Sequence, residues 1–121
     1  MRTWIGRSIM GIGVIHTLMG LVFMRSTLWV LWNERLLNTV NGQPPREATF
    51  WFLYAGFLLI LLGSLIHRLE RNSMAIPPPF VWCLLALTVI GVAVMPISGL
   101  WLLVVPAVGL MVRMVPRNDA Y

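Results

Sequence analysis

Four apolar blocks that are almost free of charge constrain this chain more than any other feature. Residues 4–24, 48–66, 80–95 and 97–112 hold a single arginine, Arg7, and no acidic residue. A helix of about 20 residues, rising about 1.5 Å per residue, matches the roughly 30 Å hydrocarbon core of a bilayer. Hydrophobic residues make up 59% of the sequence, and the mean hydropathy of +0.83 lies well above that of a soluble domain. The expected fold is all-α: an integral membrane four-helix bundle forming one domain over residues 1–121, with spans at 4–24, 48–66, 80–95 and 97–112. A short extracytoplasmic interfacial helix is expected in an external loop at 26–47.

Charge follows topology. All 9 basic residues are arginine, set against 4 acidic ones, and most flank the apolar blocks, which fits a membrane protein better than a nucleic-acid partner. With four spans, Arg2, Arg7, Arg68, Arg71, Arg113 and Arg117 share one side. Arg25, Arg35 and Arg46 lie on the other, offset by Glu34 and Glu47. Both termini are therefore expected in the cytoplasm of a bacterial cell, in a multi-pass inner-membrane protein. Phe23-Met24-Arg25 offers no small-x-small cleavage site, so the first block reads as a retained span. Pro96 and Gly99 divide the last apolar stretch into a tight hairpin, because proline interrupts the helical ladder and glycine lets the backbone reverse.

In the first loop, Ser26 or Thr27 is placed to cap a short helix, with Leu28, Trp29, Trp32 and Leu36 at helical spacing for the headgroup layer. Asn41-Gly42 marks a turn, and Pro44-Pro45 and Pro77-Pro78-Pro79 read as rigid helix entries. Gly6, Gly13 and Gly20 recur every seven residues in the first span, as Gly56 and Gly63 do in the second. Such stripes let helix backbones approach closely in lipid, so these two spans are expected to pack together. Gly91 and Gly109 offer the same to the last two.

Any chemistry would centre on His16, about 16 Å into the first span at 1.5 Å per residue, because an ionisable side chain inside a membrane needs a partner. Thr17 borders the same face. Thr88 and the Leu102 carbonyl, which Pro106 deprives of its helical donor, are candidate partners at that depth, with Tyr54 nearer the outer face. His16, Thr17, Tyr54 and Thr88 thus form a candidate intramembrane polar or ligand-binding site without an assigned catalytic role. His67 lies at the opposite rim, about 15 Å away in depth, which rules out one iron held by both histidines. The run from His67 to Arg71 reads as solvated and facing lipid headgroups. Neither a metal nor another cofactor is expected: the one cysteine, Cys83, falls within the third block, and zinc would lack ligands.

Trp4-Ile5-Gly6-Arg7, Gly13-x-x-His16-x-x-x-Gly20, Phe50-Trp51 with Gly56 and Gly63, and Pro96-Ile97-Ser98-Gly99-x-Trp101 together resemble small bacterial four-helix integral membrane proteins grouped as a domain of unknown function. The resemblance spans nearly the whole chain. It implies the fold and the bacterial membrane location, and carries no activity, substrate or catalytic residue. The residues point to a non-enzymatic protein that binds lipid, an apolar small molecule or another membrane protein, with the bilayer itself as a partner and no nucleic acid. The competing expectation is a membrane-embedded enzyme or redox component that uses His16 on a lipid-like substrate.

Overall fold

The computed structural model describes residues 3–114, so Arg2, Arg117 and Asn118 lie outside the described residues. Its elements are α1 (Trp4–Phe23), α2 (Arg25–Asn33), α3 (Pro44–Arg71), α4 (Pro78–Val94) and α5 (Trp101–Met114), with no strand among the described residues. Prolines open α3 and α4 at their first turns, where a missing N–H leaves no helical bond unmade. The turn from α3 to α4 passes through Ser73 at φ 52°. The last apolar stretch breaks between Val94 and Trp101. There the Ser98 hydroxyl donates to the Met95 carbonyl and the Trp101 indole donates to Pro96 O.

Two helices, α1 with 20 residues and α3 with 28, are long and apolar enough to cross a membrane. The pair runs antiparallel and makes the closest backbone approach in the molecule. A Cβ added to Gly13 would sit 2.8 Å from the Ile60 backbone nitrogen, and one added to Gly63 would sit 2.5 Å from that of Met10. Ordinary Cβ contacts are far longer, so glycine sets the separation here. Close approaches continue from α1 to α5 and from α5 to α4, while α4 keeps its Cα atoms more than 8 Å from those of α1 and α3 among the described residues.

Burial is concentrated at one end. Ile5 and Ile9 of α1, Ile66 of α3, Val81 of α4 and Leu110 of α5 form one cluster, flanked by Leu62, Phe80 and Leu84. Much of the remaining apolar surface is exposed, including Val22, Phe23, Leu61, Leu87 and Val94.

The segment between α1 and α3 differs from the expected loop in detail. Neither Ser26 nor Thr27 caps α2: Met24 holds that position, because α2 starts directly where α1 ends. Leu31 is the buried residue of α2, Trp29 and Trp32 are 67% and 69% exposed, and Leu36, expected on the same face, falls beyond the end of the helix at Asn33. After α2, Arg35, Leu36 and Asn38 take positive φ, a conformation uncommon for branched or long side chains. Arg46 holds this turn by pairing with the Glu34 carboxylate and donating to the Thr39 carbonyl.

Candidate functional site

His16 comes to the α1–α3 seam because it follows Gly13 by three residues and precedes Thr17, both of which are buried there. Opposite stands Gly56. In a helix the side chain four residues on partly covers a backbone carbonyl, and at Gly56 that cover is missing from the Phe52 carbonyl. His16 Nε2 donates to Phe52 O at 2.9 Å, since a carbonyl only accepts. The imidazole also stacks on the Phe52 ring, 3.8 Å between centroids and 14° from parallel. One hydrogen bond and one stacked ring therefore join α1 to α3 in their middle, and the hydrogen bond requires a proton on Nε2.

Thr17 completes this contact differently. Its hydroxyl donates to its own helix at the Gly13 carbonyl, 2.8 Å away, and its side chain fills the space that a Cβ on Gly56 would need. Thr88 is buried and bonds back to Leu84 O within α4. Tyr54 is exposed, packed with Phe50 and Trp51 as a surface aromatic group. The four residues expected to gather thus divide: His16 and Thr17 share the seam, while Tyr54 and Thr88 bond and pack elsewhere. The partner expected for His16 was Thr88 or the Leu102 carbonyl. Phe52 takes that role, because Gly56 uncovers its carbonyl on the helix that α1 packs against most closely.

A second polar centre lies at the other end of the seam, and it corrects the reading of residues 67–71 as uniformly solvated. Glu70 is 1% exposed. Its carboxylate accepts the backbone N–H groups of Ile5 at 3.3 Å and Gly6 at 2.8 Å, the free donors of the first turn of α1. Thr3, the N-cap of α1, makes no side-chain capping bond, so α3 supplies the cap from another helix. Arg113, in the last turn of α5, pairs with the same carboxylate and lies 6.0 Å from the Trp4 ring centroid. The positive end of the α1 dipole and the Arg113 guanidinium thus meet at one carboxylate. Glu70 thereby ties three helices.

The signal for Glu70 was present in the sequence: Gly56, Gly63 and Glu70 form one heptad series, which carries the packing stripe beyond the apolar block. Glu70 lies four residues beyond the charge-free block that ends at Ile66. At the same end the His67 backbone lies against Gly6, and His67 Nδ1 is buried without a hydrogen-bond partner. Gly6 and His16 are about 15 Å apart along α1 by the helical rise, so the two histidines do not meet. Among the described residues no group of three His, Cys, Asp or Glu side chains converges to hold a metal ion. The concavity beneath α2 is an open depression of about 340 Å³ lined by Ser26, Thr27, Val30, Gln43, Pro45 and Arg46.

Outside the apolar segments, the Arg46 hydrogen bond holds the Glu34 carboxyl below the usual carboxylate range, and Glu34 raises Arg46 in return.

Residues 1–117 match a family described as a family of unknown function, DUF6463, and the chain belongs to that family. No curated relative and no solved structure matches it.

Proposed function

We propose that this chain is a multi-pass protein of the bacterial inner membrane, and that it acts there as a non-enzymatic binding or interaction protein for lipid, an apolar ligand or another membrane protein. In this reading α1, α3, α4 and α5 form a four-helix bundle with both termini in the cytoplasm, and α2 lies at the extracytoplasmic interface. The observation that carries it is the share of apolar surface left uncovered. Only 33% of the apolar window of α1 and 22% of that of α3 is buried. A soluble protein buries such helices, whereas here, outside the small cluster around Ile5 and Ile66, the α1–α3 seam is lined by glycine and threonine and Phe23, Phe57, Leu61, Leu87 and Val94 are exposed. Lipid provides the missing cover, and small residues at the seams suit helix association inside it.

The use of His16 supports binding over catalysis. Its side-chain hydrogen bond joins two helices, and among the described residues no group of three His, Cys, Asp or Glu side chains gathers around it. The short helices fit as well: α4 and α5 have 17 and 14 residues, about 26 and 21 Å long, which implies local thinning or a shallow hairpin.

Topology is tested with single cysteines at Asn41 and Asn72 in a Cys83→Ser background. An impermeant thiol reagent on intact cells should label the first and reach the second only after lysis. Labelling of both in intact cells removes the topology. Purified protein should be colourless, and a visible absorbance lost in His16→Leu would replace the binding reading with a redox one.

A further inference from the structure

Positively charged residues at a cytoplasmic rim are what topology alone demands. Topology does not demand that they cluster on one flank of one helix pair. Gly6 packs against His67 across the α1–α3 seam. Both helices are right-handed and run in opposite directions, so one step along the chain from the seam turns each of them toward the same flank. Those steps reach Arg7 from Gly6, Arg68 from His67 and Arg71 from Glu70. All three are exposed, and none of their guanidinium groups has a hydrogen-bond or ion-pair partner among the described residues. Arg113 differs: it is paired with Glu70, on the side where α5 and the buried core lie.

The same flank continues as an apolar track. Arg7, Gly11, Val14 and Leu18 follow each other at helical spacing on α1, as Phe57, Leu61, Ser64, Arg68 and Arg71 do on α3, and every one of them is exposed. Gly11 has open space where a Cβ would stand. A flat apolar track that ends in three unpaired guanidiniums has the form of a phospholipid, with room for an acyl chain above and a phosphate below.

We propose that the α1–α3 flank is a binding site for an anionic phospholipid, with the headgroup phosphate held by Arg7, Arg68 and Arg71 and an acyl chain along Gly11, Val14, Leu61 and Phe57. This rests on the membrane reading above. Arginine suits the role because its planar guanidinium donates two parallel bonds to phosphate oxygens, and basic clusters at the cytoplasmic ends of spans attract anionic headgroups.

The test is native mass spectrometry of the protein released from nanodiscs of mixed phosphatidylglycerol and phosphatidylcholine, scored by the ratio of retained lipids. Wild type should retain phosphatidylglycerol preferentially. Arg68→Gln should lower that preference about fivefold and Arg7→Gln with Arg68→Gln further, whereas Arg35→Gln, on the far side, should leave it unchanged. Equal retention of the two lipids by wild type, or displacement of the lipid by millimolar glycerol 3-phosphate, overturns the lipid site. A carbonate wash of cell membranes keeps the two readings apart: release of wild type into the supernatant defeats the membrane reading, while a retained protein without lipid preference defeats only this site.

Discussion

The two ends of the α1–α3 seam are joined by different chemistry. At the Glu70 end a buried carboxylate takes two backbone N–H groups of α1 and the Arg113 guanidinium, amid Ile5, Ile9, Ile66, Val81 and Leu110. Around His16 the link has no charged partner: one imidazole N–H to the Phe52 carbonyl and a stacked pair of rings. Position explains the difference. In the proposed membrane setting, a charge at a span end has a helix terminus and a counter-ion within reach, whereas at mid-span the same charge would be far more costly. The charged end gathers three helices, and the middle holds two.

The comparison predicts unequal damage. Glu70→Ala should cost about 3 kcal/mol, because it breaks a buried ion pair and uncaps α1, and should show the largest loss of thermal stability in detergent. A loss no greater than that of His16→Leu would erase the distinction between the two centres. Gly63→Leu should follow at about 1–3 kcal/mol, since the added side chain meets the Met10 backbone and over-packs the seam. Gly11→Leu, facing open space, is its matched control and should be near neutral.

His16→Leu should cost about 1 kcal/mol, the scale of one interhelical hydrogen bond in lipid. His16→Gln should lose less, because glutamine still donates to the Phe52 carbonyl. Equal losses in the two variants would mean that ring stacking, not the hydrogen bond, holds the middle of the seam. The smallest effect belongs to the exposed pair of Glu34 and Arg46. The folded-state pKa of Glu34 is lowered, so its hold on the turn is present above the unfolded carboxylate value and is lost as pH falls through the lower folded one. Fluorescence of Trp29 and Trp32 should change in that acid window in wild type, and stay flat in Glu34→Gln.

Much of the frame is legible in the chain itself. The apolar blocks and the prolines at positions 44, 45 and 78 mark the helices, and the break around Pro96 separates α4 from α5. The heptad glycines identify the α1–α3 seam, since only a residue without a side chain permits that separation. The candidate site was half legible. His16 stands out by chemistry alone, but its partner is a backbone carbonyl, and nothing in the identity of Phe52 announces that its carbonyl is uncovered.

What the sequence determined by itself is periodic: hydrophobic length, helix starts and stops, and small-residue stripes. These depend on neighbours within a few turns of one helix. Tertiary structure decided which polar groups meet. Glu70 reaches the start of α1 from a point 64 residues beyond Gly6, and Arg113 joins it from a third helix. Pairings of that kind depend on the register and rotation of one helix against another, and a single helix does not encode them.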